Sequence, residues 1–186
     1  MFIIVYKIFF VGKSGEISFF FRIFAAEFEL DMSTFIGNIA GRCDEKGRIF
    51  VPAVYRRILA ENGSKRVVMR RDTDNACLVF YPEEVWNGKV EALRGALNEW
   101  DPEDQMLLMQ FMSDAEFMEM DGQGRILLSR RVLEMVGVEQ EVLFVGMLDR
   151  FVLWSPTQFE SRKLEQKELA VRIRAKMMAG SAVADK

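Results

Sequence analysis

An α+β fold made of two related halves is what this sequence predicts, and three observations predict it. The segment Asp44-Glu45-Lys46-Gly47-Arg48-Ile49 recurs as Asp121-Gly122-Gln123-Gly124-Arg125-Ile126, with Asp, Gly, Arg and Ile aligned at one constant offset. Downstream of each copy an apolar run ends at a proline, Leu78-Val79-Phe80-Tyr81-Pro82 and Val152-Leu153-Trp154-Ser155-Pro156. Strand and helix signals then follow in the same order in both halves. A half of this size buries too little apolar surface alone, so each is expected to pack on its twin.

In the first half, Phe35 to Cys43 and Arg48 to Val51 read as strands joined by a tight turn, because a glycine after polar residues supplies the positive φ that hairpin turns need. Pro52 stops the second strand and pre-sets a helical turn, so Ala53 to Ala60 reads as a short helix ending near Asn62-Gly63. Arg66 to Arg71 and Ala76 to Tyr81 form the next strand pair around the loop Asp72-Thr73-Asp74-Asn75. Pro82-Glu83-Glu84 opens a helix with acid in its first turn, favourable at the positive end of the helix dipole. Val85 to Asn98 and Pro102 to Met112 read as helices between the halves, broken at Trp100-Asp101-Pro102.

The second half repeats this order. Glu116 to Met120 and Arg125 to Leu128 flank the turn, Ser129 takes the place of the proline as a cap, and Arg130 to Val136 makes the short helix. Glu141 to Leu148 and Phe151 to Trp154 form the strand pair, and Pro156 opens the last helix. The stretch Phe159 to Met178 reads as one amphipathic helix whose Leu164, Leu169, Ile173 and Met177 bury on the body or on a neighbour. Met106, Met109, Met112, Met118 and Met120 are expected to fill core or a subunit interface. Residues 32–112 thus form the first repeat with its connecting helices and 113–178 the second with a C-terminal helix, while the small, polar 179–186 reads as a disordered tail.

Residues 1–31 stand apart. They hold eight of the sixteen phenylalanines and do not match the repeat. The longest apolar stretch, Phe2 to Val11, is interrupted by Lys7 and falls well short of the roughly 20 residues that cross a bilayer. No positive charge precedes it, as a secretory signal requires. Met32-Ser33-Thr34-Phe35 reads as a natural start, so 1–31 is expected to be an extension outside the native chain. The alternative is an interfacial anchor.

Charge is unevenly placed. Between Gly41 and Arg71 nine basic residues (Arg42, Lys46, Arg48, Arg56, Arg57, Lys65, Arg66, Arg70, Arg71) face three acidic ones, although the whole chain carries −3. A polyanion is drawn to this segment and repelled elsewhere, since surface fields act over about 8 Å at physiological salt. A merely solvated basic face is the alternative. The chain has no histidine and only two cysteines, Cys43 and Cys77. That composition excludes Cys/His zinc sites, four-cysteine cages and histidine-based triads, and the thiols are expected to be reduced small hydrophobes on strands. No phosphate-cradling glycine loop or nucleophile elbow is present, so no enzyme, metal, cofactor or small-molecule substrate is expected.

The paired Asp-x-x-x-Arg signatures Asp44/Arg48 and Asp121/Arg125, the run Gly47-Arg48-Ile49-Phe50-Val51-Pro52, the Tyr55-Arg56 after it and the strand-to-proline ends make the chain resemble the MraZ family, over about Ser33 to Met178. The resemblance implies a duplicated swapped-hairpin β-barrel shared with AbrB-type regulators, the two halves of one chain acting as an AbrB-like dimer. It further implies a ring-shaped homo-oligomer, a cytoplasmic, nucleoid-associated location without membrane, and transcriptional control of the division and cell wall gene cluster by binding double-stranded DNA at promoter direct repeats.

The two copies differ in a useful way: Lys46 is replaced by Gln123 and Arg42 by Glu119 at the same offset. The first hairpin is therefore expected to meet DNA through Arg42, Lys46 and Arg48, with Arg56 and Arg57 extending the basic face. Lys65, Arg66, Arg70 and Arg71 rank below the hairpin as phosphate contacts. Asp44, Gly47, Asp121, Gly124 and Arg125 read as structural parts of the motif, an aspartate accepting turn amides or holding its arginine. A second reading is an AbrB-like interaction or antitoxin-type module without direct DNA contact, although such antitoxins carry one hairpin half and a disordered toxin-binding tail.

Overall fold

The computed structural model describes residues 34–64 and 66–184. The readings of residues 1–31 and of Lys65 lie outside the described residues. The first half runs β1 (Asn38–Arg42), β2 (Arg48–Phe50), α1 (Ala53–Glu61), β3 (Arg66–Arg71), β4 (Cys77–Pro82), α2 (Glu83–Ala96) and α3 (Pro102–Ser113). The second half repeats the order as β5 (Ala115–Glu119), β6 (Arg125–Leu127), α4 (Arg130–Met135), β7 (Glu141–Met147), β8 (Arg150–Trp154), α5 (Pro156–Arg162) and α6 (Gln166–Ala184).

The strands form two antiparallel sheets, one ordered β1-β7-β8-β4-β3-β5 and one made of β2 and β6. The larger order reads the same from both ends once the halves are exchanged. Each half's first strand lies at an edge against the other half's third strand, β1 on β7 and β5 on β3, while β4 and β8 meet at the centre. The halves are interleaved, because a hairpin arm with one apolar face finds its partner row on the other half. Among the described residues no closed barrel forms, so the expected barrel narrows to an α+β arrangement of two antiparallel sheets.

The two isoleucines that close the repeated motif explain the small sheet. Ile49 and Ile126 are direct cross-strand partners and both are fully buried. Burial of each side chain contributes about 1.5–3 kcal/mol. Beneath them an aromatic cluster joins the halves: Phe80 of β4 stacks on Phe151 of β8 with centroids 5.0 Å apart, and Tyr55 of α1 packs on Phe151 at 5.2 Å and edge-on to Phe35 at 5.2 Å. Buried phenols seek a partner. Tyr55 Oη donates to the Gly37 carbonyl at 3.3 Å.

The opposite face of the large sheet carries Cys77, Val79 and Val152, with Tyr81 and Trp154 packed against them. Helices cover it through Trp86 of α2, 5.7 Å from Tyr81, and Phe159 of α5, 5.8 Å from Trp154. Cys43 and Cys77 are free thiols, both buried.

The C-terminal elements differ from expectation in two places. The last helix is two helices, α5 and α6, because Lys163 takes an extended conformation with ψ 129°; nothing in the local sequence explains this break. Helix α6 continues through Ala184, across most of the segment read as a tail. Leu169 and Ile173 on it are 44% and 49% exposed. The methionines divide: Met118 is core and Met120 packs on it, but Met106, Met109 and Met112 are exposed on α3. That helix lays Phe111 flat on Trp86 at 5.2 Å, which turns the methionine positions outward.

Candidate nucleic-acid interface

Both copies of the repeated motif fold into one turn. Gly47 N–H donates to the Asp44 carbonyl at 2.9 Å and Asp44 N–H to the Arg48 carbonyl at 3.0 Å; in the second copy Gly124 donates to Asp121 at 2.8 Å and Asp121 to Arg125 at 2.9 Å. Gly47 and Gly124 take φ +82° and +80°, the left-handed region that closes such a turn. Each aspartate locks its own turn. Asp44 Oδ1 accepts from the N–H of Lys46 and of Arg48, both at 2.9 Å, and its Oδ2 accepts from Arg48 Nε at 2.7 Å. Asp121 Oδ1 does the same with Gln123 and Arg125, and Oδ2 takes Arg125 Nε at 2.7 Å.

These bonds stabilise the ionised carboxylates. The hydrogen bond from the Arg125 side chain is the main cause that holds Asp121 down at about 2. Asp44 is likewise lowered, chiefly by the Arg48 backbone N–H. The two turns are also cross-linked between halves, Val51 N–H to the Gly124 carbonyl at 3.0 Å and Leu128 N–H to the Gly47 carbonyl at 2.9 Å.

With the turns alike, their surroundings decide what each can do. At the first turn Lys46 is exposed, Arg42 is exposed at the end of β1, and the Arg48 side chain is 36% exposed. At the second, Gln123 and Glu119 stand in the equivalent places and the Arg125 side chain is 21% exposed, its guanidinium 5.6 Å from the Phe50 ring centroid. Arg42 lies opposite Glu141 in the sheet, and Glu119 lies opposite Arg66: the same cross-strand pair with the charges exchanged.

Arg42 ends β1, Lys46 sits in the turn and Arg48 opens β2, so the three flank one turn. The structure takes Arg56 elsewhere. Arg56 Nε donates to the Val51 carbonyl at 3.1 Å, and the side chain runs beneath Gly124 of the second turn. Arg57 is exposed and lies 3.8 Å from Glu61. Arg66 is engaged by Glu83 through two bonds of 2.8 and 2.6 Å, and Arg70 lies 4.2 Å over Phe111, so both are tied to the helical cover. Arg71 is exposed.

The second half's equivalent of Arg56 is Leu133, which packs against the first turn, 3.7 Å from where a Gly47 Cβ would sit. The shorter side chain leaves a groove of about 560 Å³ between the first turn and α4, lined among others by Cys43, Asp44, Lys46, Arg130 and Glu134. Sequence reasoning also missed Phe50 and Leu127, which occupy matching places in the two copies and are 57% and 60% exposed. The signal was available in the repeat: both stand one place after a buried isoleucine, on the outward side of a strand.

A family model described as "MraZ protein, putative antitoxin-like" matches residues 111–178. A protein of Bacteroides fragilis named "Transcriptional regulator MraZ" is 41% identical over 136 residues, 73% of this chain and 86% of the relative. The chain belongs to the MraZ family. MraZ relatives of the same name include one from Phocaeicola vulgatus, 42% identical over 121 residues (65% of this chain, 79% of the relative), and one from Haemophilus influenzae, 33% identical over 135 residues (73% and 89%). Among the described residues no group of three or more His, Cys, Asp or Glu is placed to hold a metal ion, and no helix is long and apolar enough to cross a membrane.

Proposed function

We propose that this chain is a DNA-binding transcriptional regulator that grips duplex DNA through the hairpin of its first half. The single observation that carries the reading is the asymmetry of two otherwise identical turns: the first is flanked by exposed Arg42 and Lys46, the second by Glu119 and Gln123. Family membership supports it, since the relatives are named transcriptional regulators. Lysine and arginine neutralise phosphates and release counterions, and arginine also pairs with guanine by two bonds in the major groove. The interleaved halves are the counterpart of an AbrB-like swapped-hairpin dimer within one chain. One hairpin offers few contacts, so a homo-oligomer, in ring form, aligns several hairpins with direct repeats in the promoter of the division and cell wall cluster and raises affinity through effective concentration.

Footprinting with purified protein on the DNA upstream of its own gene tests this. Protected repeats at regular spacing, lost steeply as salt rises, are expected. Absence of protection at low salt, with a specific protein partner recovered instead, would establish an interaction module in place of the DNA binder.

A further inference from the structure

The outward face of the β2/β6 ribbon carries four side chains and no others. Because Ile49 and Ile126 point inward, the residues flanking them point outward. Arg48 stands opposite Leu127, and Phe50 stands opposite Arg125. Each arginine is thus paired with an apolar side chain, and the two pairs are related by the pseudo-two-fold that passes through the isoleucine pair. Phe50 and Leu127 are 57% and 60% exposed. Single exposed apolar residues need no explanation, but two at matched positions, set between two cations on one narrow strip, are poorly placed for water alone.

Duplex DNA offers such a strip what it lacks. A two-stranded antiparallel ribbon fits the major groove, about 12 Å wide. There arginine meets the guanine O6 and N7 acceptors, and the apolar group presented by the bases is the C5 methyl of thymine. We propose that Phe50 and Leu127 read thymine methyl groups while Arg48 and Arg125 face guanine or phosphate, so that both halves contribute to one DNA-reading surface. This rests on the DNA-binding reading above and extends it to the second half. Outward neighbours on a strand lie about 6.6 Å apart. That distance spans about two base steps of 3.4 Å, so each recognised thymine lies about two steps from the position faced by the arginine on the same strand.

The test uses the full chain and a footprinted duplex in which thymines are replaced singly by deoxyuridine, which deletes only the methyl group. Binding is followed by fluorescence anisotropy for the wild type, Phe50→Ala, Leu127→Ala and Arg48→Ala, with circular dichroism and sizing as folding and assembly controls. Wild type loses several-fold in affinity at one or two specific thymines. Phe50→Ala or Leu127→Ala loses about as much on the natural duplex and no longer distinguishes thymine from deoxyuridine at that place. Wild-type affinity equal on every substituted duplex, or variants as methyl-sensitive as wild type, overturns the proposal. So does a change in oligomeric state with methyl sensitivity intact, which makes the strip a subunit contact. Undiminished binding by Arg48→Ala is a different failure, that of the hairpin reading itself.

Discussion

Arg56 of the first half lies against Gly124 of the second: a Cβ on that glycine would come within 2.5 Å of Arg56 Cδ. The equivalent glycine, Gly47, has the rigid carbonyl of Leu128 in that place. The atoms nearest to the same left-handed turn are therefore those of a flexible side chain in one copy and of fixed backbone in the other.

The two glycines are expected to respond differently to alanine. Either substitution forces an L side chain into the left-handed region, which costs about 1–2 kcal/mol. At Gly47 the main-chain clash adds to this, so Gly47→Ala costs more than about 2 kcal/mol. At Gly124 the neighbour can swing aside, and the cost stays near the conformational figure. Urea unfolding of the two variants checks this. Gly124→Ala combined with Arg56→Ala is expected to be less destabilised than the sum of the single changes, because the pair is in contact; equal costs at both glycines would contradict the account.

The locked aspartates set an acid limit. Asp121 is held at about 2, against 3.8 for an unperturbed carboxyl, so the unfolded chain takes up this proton before the folded one does. Its contribution is fully present above pH 3.8 and is lost as pH falls towards about 2. Asp44 and Glu83 are lowered as well and add in the same direction. Urea midpoints measured from pH 6 to pH 2 are expected to fall through this window, and Asp121→Asn should flatten part of the slope. An identical slope in the variant would show that the turn bonds do not carry it.

The thiols are expected to be inert in the folded protein. Burial pushes the Cys77 thiol up to about 12, and burial also raises Cys43. The thiolate is the reactive form. A chromogenic disulfide reagent at pH 8 should therefore label both cysteines at the rate of unfolding and immediately in urea. Fast labelling of Cys77 in the native state would mean that the sheet face under α2 and α5 opens.

Much of the fold was legible in the sequence because the repeat fixed the order of elements and turn chemistry fixed their ends. Pro52, Ser129 and the two turn glycines act locally, and Ser129 Oγ indeed accepts from Val132 N–H at 3.4 Å. What was not legible depends on which remote segments meet. That β1 pairs with β7, that Arg56 runs under Gly124, and that Arg66 is tied to Glu83 are all contacts between segments distant in the chain. Charge counting placed Arg56 with Arg42, Lys46 and Arg48 because it sees only proximity in sequence. The outward pairing of Phe50 with Arg125 was hidden for the same reason: alternation tells which side of a strand a residue takes, but register across strands tells what stands beside it.

The central claim is that the first hairpin holds DNA, and the side chain on which it turns is Arg48. The most direct measurement is a binding titration of wild type and Arg48→Ala on the footprinted duplex at several salt concentrations, beside sizing of each protein. The account predicts an unchanged assembly, affinity reduced at least tenfold, and a salt slope lower by about 1 if Arg48 faces phosphate. Unchanged affinity and slope with the assembly intact would contradict it.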